Sequence, residues 1–234
     1  MSAFPFRLVT VDIDGTLTRI HGWRAISSAF GREGEFDATN RRFFGHEISE
    51  DEHLRNLVGL AVGHAVREVE AVLEATPLVS GISETIVALH GRGAHVALLS
   101  HNPDYVCAWY RRTFGFDDAE GMDGSWVRDG RIVDPGSVHA DKRTGLGRLV
   151  ERWQVRPREV AHVGDGWADA ALFPLVGAGI AFNSHLPDVD RVADAALQSA
   201  SFAALLPVLD RLTPRPVAER DPSAAHSSNT SSRV

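Results

Sequence analysis

Residues 7–18 read Arg7-Leu8-Val9-Thr10-Val11-Asp12-Ile13-Asp14-Gly15-Thr16-Leu17-Thr18, an apolar run that ends in two carboxylates, a glycine and a threonine. Leu8, Val9 and Val11 predict a buried strand, because large aliphatic and β-branched side chains suit a sheet covered on both faces. Carboxylates are poor strand formers and costly to bury, so Asp12 and Asp14 mark its carboxyl end. That end of an open α/β sheet is where ligands bind. Gly15 permits a sharp turn with backbone N–H groups aimed at an anion. A phosphate with a Mg2+ ion, a hard cation that takes few protein carboxylates, fits such a loop. Taken alone, the same residues also read as a simple exit from a strand into a turn.

Three further stretches bear on the choice. The chain holds 24 Lys plus Arg, of which 23 are arginine and one is Lys142. A lone lysine among arginines points to a position that needs a compact ammonium between a carboxylate and a phosphate, where a guanidinium fork is too wide. Chance survival is the competing explanation. Val160-Ala161-His162-Val163 is a second apolar run, ending in Gly164-Asp165-Gly166 with a further acid at Asp169. A helix that starts near Trp167 turns both acids to one loop. Asp165 is then placed to reach a cation directly, and Asp169 to ligate through water or to orient Lys142. By itself Gly-Asp-Gly is also a common turn. Ala94-His95-Val96-Ala97-Leu98-Leu99-Ser100 predicts a strand ending in a hydroxyl. Ser100 either donates to a phosphate oxygen or caps the helix that follows Pro103.

In this order, Asp12-Ile13-Asp14-Gly15-Thr16, Ser100, Lys142 and Gly164-Asp165-Gly166 with Asp169 resemble the four motifs of the haloacid dehalogenase superfamily of phosphohydrolases, over roughly residues 6–210. The long helical gap between the first two motifs is most similar to the branch containing phosphoserine phosphatase. The resemblance implies a Mg2+ cofactor and an aspartyl-phosphate intermediate on Asp12. It implies that Asp14 protonates the leaving oxygen and then activates water. Mg2+ is expected on the Asp12 carboxylate, the Asp14 backbone carbonyl and Asp165, with Ser100 and Lys142 holding the phosphoryl oxygens and Thr16 supporting the loop. Phosphoryl transfer needs in-line positioning and charge neutralisation, which such a set supplies.

The rest of the chain agrees with an α/β fold: a Rossmann-like parallel sheet with helices on both faces, plus a small helical cap inserted after the first strand. Strand patterns fall at 7–12, 94–99, 160–163 and 177–181, and helical patterns near 82–92, 103–114, 141–154, 167–173 and 201–211. Residues 125–134 predict a β-hairpin around Asp129-Gly130, taken as an ornament. Residues 19–77 carry helical periodicity without a strand pattern and read as the cap, a lid over the substrate. Residues 1–18 and 78–212 read as the catalytic core, and the Ser/Pro-rich stretch 213–234 as a disordered tail. Asn183 follows the strand pattern at 177–181, as a site-edge or loop-start residue.

At 234 residues with 44% hydrophobic content, the chain can bury a core and an accessory domain. No apolar run approaches the ~20 residues that span a bilayer, and no signal peptide precedes the first strand. A net charge of −7 speaks against a broad nucleic-acid-binding face. One cysteine, Cys107, points to a reducing, cytoplasmic setting, and its place in a helical pattern makes it a core residue. The 11 histidines show no zinc-type spacing.

Several positions depart from phosphoserine phosphatase. His21 stands where that family has a glutamate that meets the serine ammonium. Leu57 stands where an arginine meets the serine carboxylate, with Arg55 two residues earlier. His101 follows Ser100 in place of glycine, and Ala168 replaces an asparagine. An unpaired charged group in a closed site costs several kcal/mol, on the order of 3. The expectation is therefore Mg2+-dependent hydrolysis of a small phosphorylated metabolite with a neutral or anionic leaving group, motivated also by the basic residues Arg41 and Arg42. His21, Trp23 and His101 are candidate substrate contacts, and each also reads as packing or surface. Phosphoserine hydrolysis, phosphoryl transfer to an alcohol as in a mutase, and non-catalytic binding of a phospho-ligand are the alternatives.

Overall fold

A computed structural model describes residues 4–122, 124–134, 136, 138 and 141–217. In chain order the strands are β1 (Leu8–Val11), β2 (His95–Pro103), β3 (Asp118–Met122), the short β4 (Val127–Arg128) and β5 (Arg131–Ile132), β6 (Val160–Gly164), β7 (Ala178–Phe182) and β8 (Ala195–Leu197). All but β4 and β5 form one parallel sheet in the order β3-β2-β1-β6-β7-β8. The chain builds outward from β1 to β3, then returns to the other side of β1 with β6. The order therefore reverses at β1, and Asp12 and Asp165 lie just beyond the carboxyl ends of the two strands that flank the reversal. This is where a doubly wound sheet opens a crevice for a ligand.

Between β1 and β2 come α1 (Gly22–Ala29), α2 (Glu33–Phe44), α3 (Glu50–Gly59) and α4 (Val66–Ala75). The segment leaves and rejoins the core side by side, through Arg19 N–H to Pro77 O at 2.8 Å and Val79 N–H to Leu17 O at 2.9 Å. The remaining helices are α5 (Ile82–His90), α6 (Asp104–Phe114), α7 (Lys142–Arg152), α8 (Trp167–Ala170), α9 (Pro187–Val192) and α10 (Leu205–Leu209).

Strand periodicity divides the core into two layers. Val9, Val11, Val96 and Leu98 pack with Ile86, Val106 and Leu205 on one face. Leu8, Ala97, Leu99 and Val160 pack with Leu146, Leu149 and Leu172 on the other. Alternation places Thr10 and Asp12 on the same side as Leu8, which is the side of α7. That helix is held close because a Cβ on Gly145 would lie 2.8 Å from Leu99.

Some expectations are corrected. The strand at 94–99 continues to Pro103, with a bulge after Leu99, so Ser100 neither ends the strand nor caps α6. Two strands have no counterpart in the sequence reading. β3 is Asp-Ala-Glu-Gly-Met, whose acids look unlike a strand but face α7, where Asp118 meets Arg152 at 2.6 Å and Glu120 meets Arg148 at 2.7 Å. β8 is three residues long. The helical pattern at 167–173 stops after Ala170 and gives way to a 3-10 turn around Pro174.

The hairpin at 125–134 forms, with Asp129 and Gly130 at φ 51° and 71°. It is more than an ornament. Gly63 N–H reaches Ile132 O at 2.9 Å, Ile132 N–H reaches His64 O at 2.9 Å, Val66 N–H reaches Gly130 O at 3.0 Å, and Arg55 pairs with Asp134 at 2.8 Å. It thus braces the α3–α4 region. The first part of the predicted tail is also tied down: Arg215 N–H bonds Gly177 O at 2.9 Å. Residues 218–234 lie outside the described residues.

Candidate active site

Lys142 is the first residue of α7, whose N-terminus is capped by the Asp141 carboxylate accepting from Arg143 N–H at 2.9 Å. From there Nζ lies 3.0 Å from Asp12 Oδ1 and 2.6 Å from Asp169 Oδ1, with the side chain 5% exposed. One ammonium therefore touches two buried carboxylates, one from the loop after β1 and one from α8.

Asp169 is itself saturated. Its Oδ1 also accepts from His162 Nε2 at 2.9 Å, and its Oδ2 accepts from the backbone N–H groups of Asp165 at 3.2 Å and Gly166 at 3.0 Å. A carboxylate acceptor requires the proton on Nε2, and Nδ1 then faces the Thr10 hydroxyl at 2.8 Å. A buried chain thus runs Thr10–His162–Asp169–Lys142–Asp12 across β1, β6 and α7.

Asp165 projects from the loop after β6 into the space where a Gly15 side chain would stand, so the turn at Gly15 (φ 80°) admits no Cβ. Thr16 Oγ1 donates to Asp165 Oδ1 at 3.1 Å. The Asp14 carboxylate points elsewhere. It accepts from Gly22 N–H at 2.5 Å and from Asn102 Nδ2 at 2.8 Å. Asn102 also donates to Ser100 Oγ at 3.0 Å, which orients that hydroxyl as a donor.

Acid-base balance at this site is lopsided. Burial raises Asp12, and Asp169 adds to this while Lys142 opposes it. Burial, then Asp12 and Asp169, pushes Asp165 up to about 8. Burial also works against charge on Asp169 and Lys142, but their mutual attraction overcomes it, so Asp169 lies well below and Lys142 well above its usual range. Side-chain oxygens of Asp12, Asp165 and Asp169 lie within 4.8 Å of one another. Since Asp169 is committed to Lys142, His162 and two N–H groups, Asp12 and Asp165 are the carboxylates left for a cation. Two crowded, partly neutralised carboxylates suit a hard divalent ion.

The sign of the linkage follows. In the metal-free protein Asp165 and Asp12 hold protons that the unfolded chain has released above the usual carboxylate range. Stability should therefore fall as pH rises toward about 8. A divalent cation bound there would replace those protons, so the gain in Tm on adding Mg2+ should be larger at about pH 8 than at about pH 6. Thermal unfolding with Mg2+ or chelator tests this; a gain that shrinks with rising pH contradicts it.

A family model for haloacid dehalogenase-like hydrolases matches residues 6–177. The chain belongs to that family. A phosphoserine phosphatase of Haemophilus influenzae is 27% identical over 208 residues, 86% of this chain and 65% of that protein. One from Methanocaldococcus jannaschii is 24% identical over 204 residues, 86% of this chain and 96% of that protein. A solved structure of a phospho-aspartyl intermediate analogue of phosphoserine phosphatase superposes with a TM-score of 0.72 at 24% identity, covering 87% of this chain and 98% of that one. The hydrolase therefore sits in the phosphoserine phosphatase-like branch.

In this haloacid dehalogenase-like hydrolase a cavity of about 280 Å3 joins the carboxylates to α2 and α3. Its wall includes Asp12, Asp14, Ser100, Lys142 and Asp165 from the core, and Trp23, Phe43, Leu54 and Leu57 from the inserted helices. A larger groove of about 610 Å3 touches Asp14 and Asp165 but neither Lys142 nor Ser100. Asn183, at φ 59°, lines that groove and bonds Ser199, in a loop role.

The candidate contacts divide. Trp23 is buried in the cavity wall. His21 lines it too, but its Nδ1 caps α1 by accepting from Trp23 N–H at 3.3 Å and stands 3.8 Å from Asp14. His101 lines it beside Lys142; burial and that ammonium pull it down to about 4, so it is uncharged at neutral pH. Arg41 and Arg42 do not line it. Arg42 pairs with Glu52 at 3.2 Å over a separate cavity, and Arg55 turns away to Asp134. Cys107 is core: it is buried, and burial raises its thiol.

Sequence reasoning missed His162, Thr10 and Asn102. A histidine inside the apolar run Val160–Val163 was the available signal. Asn102 lies two positions after Ser100 and shares its face of β2.

Proposed function

We propose that this hydrolase is a Mg2+-dependent phosphatase that cleaves a small phosphomonoester through an aspartyl-phosphate on Asp12. The observation that carries the reading is the lone lysine, buried against Asp12 at 3.0 Å and fixed by Asp169 at 2.6 Å, at the carboxyl end of β1. Asp12 attacks phosphorus as the ester P–O bond breaks, and Asp14 gives its proton to the departing oxygen. Asp14 then takes a proton from the water that attacks the acyl phosphate, which restores both groups. Lys142 and Ser100 hold phosphoryl oxygens in line. Asp12, Asp165 and the Asp14 carbonyl would hold Mg2+, which supplies positive charge to the phosphoryl oxygens when bound. Residues 19–77 act as the cap that closes over the substrate.

The relatives named phosphoserine phosphatase make phosphoserine the competing substrate. Against it stands the wall of α3, which turns Leu54 and Leu57 to the cavity and Arg55 away from it. Among the described lining residues Lys142 is the only lysine or arginine, so a leaving group bearing a carboxylate finds no guanidinium and no second ammonium there. This also removes support for the anionic leaving groups considered from Arg41 and Arg42. In a panel of phosphomonoesters with Mg2+, phosphoserine is expected to rank at least tenfold, that is about 1.4 kcal/mol, below the best ester in kcat/KM. Phosphoserine as the best substrate overturns the substrate reading and leaves the chemistry intact.

A further inference from the structure

His53 of α3 lines the cavity and takes no part in the phosphoryl chemistry. It is 8% exposed, with its ring stacked on Phe43 at 4.3 Å between centroids. Its Nε2 stands 2.9 Å from Asn40 Oδ1. The orientation of that amide decides the tautomer of the ring. Asn40 Nδ2 donates to the backbone carbonyl of Phe36, one turn back on α2, at 3.0 Å. Turning the amide over would set its oxygen against that carbonyl, acceptor against acceptor. Oδ1 therefore faces His53, and an amide oxygen only accepts, so the proton sits on Nε2.

Nδ1 then carries a lone pair. No donor among the described residues reaches it. Neither is it sealed in. Among the described residues, the sealed side-chain atoms without a partner are His101 Nε2, Tyr105 Oη, Tyr110 Oη and Asp190 Oδ1, and His53 Nδ1 is not one of them. With one nitrogen on Asn40 and one face on Phe43, the small open part of the ring looks into the cavity that it lines. No carboxylate among the described residues pairs with the ring, so a second proton finds no counter-charge. Burial, and then His21, pull the imidazole down to about 4, in the same sense.

An acceptor left open in a mostly buried ring selects a ligand that brings a donor, because a methyl group in its place strips water from the nitrogen and leaves it unpaired. The wall beside His53 holds Trp23, Leu54 and Leu57, where a charged donor is costly and a hydroxyl is not. The space, about 280 Å3 including the phosphate end, is at the small limit for ligand pockets.

Building on the phosphatase reading, we infer that His53 is a specificity-determining residue whose Nδ1 accepts a hydrogen bond from a hydroxyl of the leaving group. The substrate class is then the monophosphate of a short, uncharged diol or polyol. Asn40 is the positioning residue that keeps the accepting nitrogen turned to the cavity.

The test compares kcat/KM of the Mg2+-loaded enzyme for hydroxyalkyl phosphates of increasing chain length with the alkyl phosphates in which a methyl replaces the hydroxyl. At the best length the hydroxyl ester should exceed its alkyl counterpart by about tenfold, and its O-methyl ether, an acceptor without a donor, should fall back to the alkyl level. His53→Gln sets an amide near the Nε2 position, where it keeps Asn40 but offers nothing at Nδ1, and should lower that ratio to below about two. His53→Asn sets an amide oxygen near Nδ1 and should hold the ratio above about three. A parent ratio near one, equal ratios in all three proteins, or a preference for the aminoalkyl or carboxyalkyl ester of the same length overturns the inference. Histidine 15N NMR of the whole protein checks it without turnover. The His53 ring, assigned by its loss in His53→Gln, should be the Nε2–H tautomer at about pH 7, and its Nδ1 should shift with 3-hydroxypropylphosphonate and not with butylphosphonate. If no ester is turned over, the phosphatase reading fails and this titration decides alone. A ring protonated on Nδ1, or equal shifts with the two phosphonates, overturns the inference.

Discussion

Asp12→Asn is expected to abolish phosphate release, by about 10^4-fold or more, in a protein that still folds. The amide keeps the shape of the carboxylate but cannot form the acyl phosphate. Lys142 keeps Asp169 at 2.6 Å, so the ammonium is not stranded. Burial already disfavours charge on Asp12, and removing that charge relieves its neighbours Asp14, Asp165 and Asp169. Stability should therefore change by less than about 1 kcal/mol. Steady-state assays beside chemical denaturation check both halves. Activity within tenfold of the parent would remove Asp12 from the role of nucleophile.

Asp169→Ala is expected to be the most destabilising single change at the site, by about 3–5 kcal/mol. It strips Lys142 of its shorter ion pair, His162 of its acceptor, and two backbone N–H groups of theirs. All of these groups are buried or nearly so, and water cannot replace the lost oxygens cheaply. An exposed pair gives the comparison: Arg55→Ala, which breaks the contact with Asp134 at 2.8 Å, should cost far less, because water solvates both partners. Urea unfolding of both variants measures the contrast. A loss at Asp169 no larger than at Arg55 would mean that the buried chain from Thr10 to Asp12 is not cooperative.

Much of the fold was legible because the strands that carry chemistry are continuous apolar runs. β1, β6 and β7 are buried on both faces and announce themselves by composition. β3 was hidden because its acids are neutralised by Arg148 and Arg152 of α7, a pairing that only the folded chain creates. β8 is too short to carry a pattern. The carboxylates of the site were visible as acids at strand ends. The residues that aim them were not: Asn102 orients Asp14 from within β2, and His162 fixes Asp169 from within β6. Both are ordinary polar residues until the sheet brings neighbouring strands into register. The cavity wall was the least legible part. Helical spacing put Leu54 and Leu57 on one face, but that Arg42 and Arg55 turn to Glu52 and Asp134 rather than to the cavity shows only in the folded chain.

The most direct measurement is a rapid acid quench of the Mg2+-loaded enzyme with a phosphate-labelled ester, followed by peptide mapping. A hydroxylamine-sensitive label on the peptide carrying Asp12, absent from Asp12→Asn, is the result expected. Phosphate release at the full rate with no label on the protein would show that water attacks the ester directly, and would contradict the aspartyl-phosphate route.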